Sequence, residues 1–153
     1  MSNGTIQSIH VTAAAKEPMR SVDQVHAIPG VGLDGDRYAL KLGTFSKPTA
    51  TDFELTLIEA ESLDAMQRDY SLQLAAGDAR RNLVTRGVAL NHLVGREFTI
   101  GEVKVRGMRL CEPCGYLQKM TGIDVIKGLR HRGGLRAAIL SDGLIRVGDA
   151  VRD

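Results

Sequence analysis

Cys111 and Cys114 are separated by Glu112 and Pro113 and lie in a stretch rich in arginine. Thiols at this spacing can join a metal site, cycle as a dithiol and disulfide, or supply one nucleophilic or metal-binding thiolate. A structural metal wants about four ligands, and two cysteines cannot make an all-thiolate set. His92 and His131 could complete a mixed set, but their spacing to the thiols follows no metal-site pattern. A thioredoxin-like pair belongs in a βαβ setting, and the residues around these cysteines show none. A single thiolate suits the local chemistry better. Pro113 fits the first position of a helix, which would put Cys114 in the first turn. The helix start and nearby Arg109, Arg130 and Arg132 would all favour an anionic sulfur. The competing reading is two small buried cysteines with no role.

Two further groups of residues could bind an anion. Arg80-Arg81-Asn82 reads as extended chain, so adjacent arginines should point to opposite faces, one inward and one solvated. An inward Arg81, with the Asn82 amide, suits a phosphate or carboxylate; a surface salt bridge is the plainer alternative. Arg130-His131-Arg132-Gly133-Gly134 combines cations with glycines that allow close backbone approach, the makings of an anion-binding loop or simply of a basic turn. Gly30-Val31-Gly32-Leu33-Asp34-Gly35 matches G-x-G-x-x-G, but the short, broken segment after it cannot be the helix a dinucleotide fingerprint needs. Glycines there serve positive φ angles, with Asp36 and Arg37 ordering the turn.

The elements that must position these residues are mostly short strands. Thr5–Thr12, Val22–Ile28, Phe53–Ile58, Asn82–Thr85, Phe98–Ile100, Val103–Val105, Leu135–Leu140 and Leu144–Val147 read as strands from their β-branched content and alternation. Glu59–Tyr70 reads as a helix with Leu63, Met66 and Tyr70 on one face and an Asp64–Arg68 pair. Leu90–Val94 suggests a single helical turn. Pro113–Met120, stopped by Thr121-Gly122, and Ile123–Leu129 suggest two short helices. Ser141-Asp142-Gly143 signals a hairpin between the last two long strands. Gly30–Gly43 and Thr44–Asp52 form one long connection of the kind used for functional loops. About eight strands and two or three helices without regular alternation predict an antiparallel barrel or sandwich in one domain of 153 residues.

Composition narrows the function. Aromatic residues are 4% and tryptophan is absent, a poor supply for base stacking, so nucleic acid is not expected as a partner. No stretch approaches the roughly 20 apolar residues of a membrane span. The N-terminal residues lack a signal-sequence pattern, and two cysteines are too few for a disulfide framework; these features predict the cytoplasm. Charge is unevenly spread. Asp52–Asp69 holds six acidic residues and one basic, whereas Lys104–Arg136 holds eight basic and two acidic. The basic stretch contains both cysteines, so an anionic small molecule near the thiols is one reading; on charge alone a solvated basic face is the plainer one.

Taken in order, these segments resemble stand-alone members of the MOSC family, the molybdenum-cofactor sulfurase C-terminal domain. The matching residues are Gly32-Leu33-Asp34-Gly35-Asp36-Arg37, Leu57-Ile58-Glu59-Ala60 and Arg80-Arg81-Asn82-Leu83-Val84-Thr85-Arg86-Gly87. Leu93-Val94-Gly95, Ile100-Gly101-Glu102, Arg109-Leu110-Cys111-Glu112-Pro113-Cys114, Arg132-Gly133-Gly134-Leu135 and Gly143-Leu144-Ile145-Arg146-Val147-Gly148-Asp149 follow. The resemblance runs from about Gly30 to the end, and its specificity lies in the ordered spacing.

The resemblance implies a mainly β, barrel-like fold with two or three peripheral helices. It implies the family's cysteine at Cys114, which in related proteins is thought to carry a persulfide or to ligate molybdenum. The implied cofactor is molybdopterin-bound molybdenum, its phosphate held by Arg81, Asn82, Arg130 and Arg132, with Asp36 and Arg37 ordering the adjacent loop. The implied partners are a cysteine desulfurase or a molybdenum enzyme. No pyridoxal phosphate site is indicated by the sequence itself. Cys111 departs from the single cysteine of many relatives; packing is the preferred reading and resolution of a persulfide the alternative. Larger molybdenum-binding relatives carry a further β-barrel domain that helps enclose the cofactor, a wall that a homodimer or partner could supply here. The enzymatic roles implied are sulfur transfer or a component of a molybdenum-dependent reductase. The rival readings are a non-catalytic module for an anionic small molecule and an interaction domain using the acidic helix.

Overall fold

The computed structural model describes residues 3–40 and 54–153. The Thr44–Asp52 connection and Phe53 lie outside the described residues. Among those described, eleven strands and three helices follow in the order β1 (Asn3–Val11), β2 (Arg20–Val22), β3 (Gln24–Ile28), β4 (Gly32–Leu33), β5 (Leu55–Glu59), α1 (Ala60–Tyr70), β6 (Leu83–Arg86), β7 (Glu97–Ile100), β8 (Val103–Leu110), α2 (Gly115–Thr121), α3 (Val125–Gly128), β9 (Leu135–Ile139), β10 (Gly143–Arg146) and β11 (Ala150–Arg152). Two 3₁₀ turns, Ala76–Ala79 and Leu90–Leu93, precede β6 and β7.

Seven strands close into a barrel. The order β11-β7-β8-β9-β5-β6-β1 returns on itself because β11 also pairs with β1. Closure removes the open edges that would invite aggregation. β2 pairs with the second half of β1, and β10, β3 and β4 form a separate small sheet. The fold is therefore mainly β with peripheral helices, as the strand pattern predicts.

The barrel interior is apolar, with Ile9, Leu33, Leu55, Leu57, Leu83, Leu90, Ile100 and Leu135 among its fully buried side chains. Alternation on β8 shows why: Val103, Val105 and Gly107 face in, while Lys104, Arg106 and Met108 face out. A second cluster lies outside the barrel, where α1, α2 and α3 bring Met66, Leu117, Val125 and Leu129 onto Ile58 and Val84. β5 and β6 are therefore covered on both faces. They are also parallel, joined by α1 as a single β-α-β unit, and neither cysteine lies on it.

Four local expectations change. Ser141-Asp142-Gly143 is not a hairpin, because β9 pairs with β5 and β8 whereas β10 pairs with β3. The turn is a corner where the chain changes sheets, held by the Ser141 hydroxyl on the Lys104 N–H and by Asp142 on His26. Asp64 pairs with Arg86 of β6, and Arg68 with Asp69, so the expected Asp64–Arg68 pair is absent. On α1, Met66 is fully buried and Leu63 partly, but Tyr70 is exposed beneath the Lys127 ammonium, 5.0 Å from its ring centre. Finally, Gly32-Leu33 forms β4 against β3. Gly30, Gly32 and Gly35 have positive φ, which only glycine adopts freely.

Candidate active site at the end of strand β8

β8 ends at Leu110, and the chain then runs through Cys111-Glu112-Pro113-Cys114 without turn or bend until α2 begins. Three contacts fix this segment. The Cys111 N–H donates to the Gly134 carbonyl at 2.7 Å. Arg81 donates through Nη2 to the Cys111 carbonyl at 2.9 Å, Nε to Gly133 at 2.9 Å and Nη1 to Ala79 at 3.2 Å. Glu112 accepts from His131 twice, from the main-chain N–H at 2.8 Å and from ring Nδ1, as assigned by geometry, at 2.9 Å. Gly133 makes the approach possible, since a Cβ there would stand 2.5 Å from the Cys111 carbonyl oxygen. The Gly133-Gly134 glycines are thus needed for chain packing.

Cys114 caps α2 from outside its first turn, with its carbonyl accepting from the Gln118 N–H at 3.0 Å and no capping bond from its sulfur. It is half-buried, with one side against the helix cluster. Cys111 is 3% exposed. Neither cysteine is in a disulfide, and Cys111 is the more buried of the two.

Both cysteines line a cavity of about 370 Å³ whose walls carry Arg37, Arg80, Arg81, Arg109 and Arg136 and a single acid, Glu112, among the described residues. β8 and β9 place Arg109 opposite Arg136 in register. Arg37 is buried in an ion pair with Asp36 at 3.2 Å; it also donates to the Arg80 carbonyl and lies 4.3 Å above the Tyr38 ring. Asp36 is fully buried and takes the Thr12 and Tyr38 N–H groups as well, so much of the Arg37 charge is met locally. Arg80 differs. Its Nη1 donates to the Glu17 carbonyl at 2.6 Å, but Nη2 is buried without a hydrogen-bond partner among the described residues. Burial, and then repulsion by Arg37, pull its pKa below the usual arginine value. A cation in that position gains from an anion placed beside it.

The structure gathers some of the expected residues here and not others. Arg81 and Arg37 stand at the cavity with Cys114. Arg80 and Arg81 do not split between core and solvent, since both are buried. The reason is that Arg80 is not extended: its φ of 59° ends the 3₁₀ turn in the left-handed region. Asn82 is fully buried and spent on a joint, accepting from the Thr56 N–H and hydroxyl and donating to the His10 carbonyl. Arg130 and Arg132 are not on these walls. They line another, open cleft with Lys127 and Tyr70, where Arg132 is held by the Gly128 carbonyl and Asp69. His131, between them, has a left-handed φ of 61° and lines the same cleft. Arg80, expected on the solvated side of its pair with Arg81, and Arg136, which did not stand out in sequence, complete the cavity. For Arg136 only the β8–β9 register could have shown it.

A model of the MOSC domain family matches residues 33–152. The chain belongs to the MOSC family. Its fold is similar to those of solved structures. YuaD from Bacillus subtilis shares 14% identity at a TM-score of 0.78, over 99% of this chain and 97% of that one. YiiM from Geobacillus stearothermophilus shares 17% at 0.73, over 97% and 74%. YiiM from Escherichia coli shares 18% at 0.69, over 97% and 68%. No curated protein matches the sequence. Among the described residues of this MOSC chain, no helix is long and apolar enough to cross a membrane. Nor does any group of three or more His, Cys, Asp or Glu side chains gather as a metal site.

Proposed function

We propose that this MOSC protein holds a phosphate-bearing molybdenum–pterin cofactor in the arginine cleft, with Cys114 as the sulfur ligand to the metal or the carrier of its sulfur. The observation that supports this most is the convergence of five arginines and one half-buried cysteine on a single cavity. The residues present fit such a group. The buried, unpartnered Arg80 nitrogen calls for an oxyanion, and a thiolate is the soft donor that suits a thiophilic metal.

In this reading Arg80, with Arg37 behind it, holds the phosphate, and Arg81 contributes charge while its nitrogens brace the cysteine segment. The cofactor, when bound, supplies a redox-active metal that the side chains lack. For sulfur carriage, the Cys114 thiolate attacks the sulfane sulfur of a donor. The new S–S bond to Cys114 forms as the S–S bond within the donor breaks, the donor's own thiolate leaves with the electron pair, and Cys114 is left as a persulfide. A cysteine desulfurase is the class of partner that could load it. A second copy or a molybdenum enzyme would supply a further wall for the cleft. We place this chemistry in the cytoplasm, where thiols stay reduced.

The test is metal and phosphorus analysis, with intact mass, of protein purified from its native host. The expected result is molybdenum with phosphorus, or an adduct of about 32 Da on Cys114, each lost in Cys114→Ser while the melting temperature holds. Absence of both from the unaltered protein, or equal loading of the variant, contradicts the proposal. Anion binding that ignores Cys114 would make the chain an anion-binding module instead.

A further inference from the structure

Glu112 is the one acidic side chain on the described walls of the arginine cleft. A carboxylate there would neutralise the cations and compete with any anion that enters. It is instead held at the rim by His131, whose main-chain N–H meets Oε1 at 2.8 Å and whose Nδ1 meets Oε2 at 2.9 Å. Both carboxylate oxygens are thus engaged by one residue. That residue lies outside the cleft, on the neighbouring one lined by Lys127, Arg130, Arg132, Asp69 and Asp124. His131 is also a non-glycine residue at φ 61°, a backbone region that L-residues adopt reluctantly. The Asn91 amide fixes it by donating to its carbonyl at 2.7 Å. Backbone strain of this kind persists where surrounding contacts impose it.

We propose that the Glu112–His131 contact sets the anion affinity of the cleft. His131 is a positioning residue: by engaging both Glu112 oxygens it keeps that carboxylate from competing for the buried Arg80 nitrogen. Releasing Glu112 would let it fold over the cations as an internal competitor. The proposal rests on the reading that the cleft binds an anion, and it adds the control of that binding by a residue outside the cavity.

The experiment is calorimetric titration of orthophosphate, at low ionic strength, into the unaltered protein, Glu112→Gln, His131→Gly and the double variant. Glycine accommodates the positive φ, and the glutamine amide still accepts the His131 N–H, so the folds should survive; thermal melts check this. Because the contact is solvent-exposed, with side chains 43% and 77% accessible, the effects should be modest. Glu112→Gln should bind phosphate about threefold tighter and His131→Gly about two- to threefold weaker, and the double variant should match Glu112→Gln. Equal weakening by His131→Gly with and without Glu112, or no weakening at all, overturns the proposal and leaves the anion site standing. Failure of all four proteins to bind phosphate removes the anion site itself and this inference with it.

Discussion

Arg81 carries a charge to the cleft, but its hydrogen bonds make it part of the frame. All three of its nitrogens donate to main-chain carbonyls, two of them belonging to Gly133 and Cys111 on either side of the gap beside Cys114. Arg81→Ala would leave those buried acceptors unsatisfied, which should cost about 3 kcal/mol or more. Lysine should not rescue it, since one ammonium cannot reproduce the planar fork. Urea unfolding gives the first result, and a shifted Cys114 amide resonance in the folded fraction gives the second; unchanged stability would contradict this role. The importance of this arginine was legible from its type and its place before β6. Its bonding to carbonyls was not, because guanidinium recognises a phosphate oxygen and a carbonyl oxygen by the same donors. Arg130 and Arg132 show the converse. Their charge was visible in the sequence, but which cleft the fold gives them to is not a property of residue type.

At the scale of elements, β1 carries the joint between barrel and site. The His10 main chain bonds to Asn82 twice: its N–H donates to the Asn82 carbonyl, and the Asn82 side-chain amide donates back to the His10 carbonyl. Burial lowers the His10 pKa, and the nearby Asp78 charge only partly opposes it. The folded protein therefore resists a proton that the unfolded chain accepts near pH 6.5. Stability should be full above that pH and decline as pH falls below it, until the folded state protonates as well. His10→Gln should remove this contribution. Denaturant midpoints from pH 8 to 5 measure it, and an unchanged slope in the variant would contradict the assignment. β7 and α1 were legible to within a residue of their ends, whereas β8 was read only over Val103–Val105 of Val103–Leu110. The β9–β10 hairpin was misread because Ser141-Asp142-Gly143 carries the same turn chemistry whether the chain returns on its partner or crosses to another sheet. Pairing with β3, more than 100 residues earlier in the chain, is a long-range choice that a local signal cannot encode.

For the whole molecule, barrel closure brings β8, β9 and the segment before β6 to one end, and so collects arginines from distant parts of the sequence around one thiol. Arg37, Arg80, Arg109 and Arg136 meet there only through the fold. Cys114 could be singled out in advance because its neighbours in sequence already formed a pattern. Its cationic surroundings could be sensed only as a regional excess of charge, with the contributing residues partly misassigned. The central claim is that an anion binds beside the Cys114 sulfur. It is tested most directly by following iodoacetamide labelling of each cysteine by mass spectrometry, with and without orthophosphate. Cys114 should react first, phosphate should slow it, and buried Cys111 should remain unlabelled while the protein is folded. Labelling of Cys114 at the same rate with saturating phosphate, or earlier labelling of Cys111, would contradict the account.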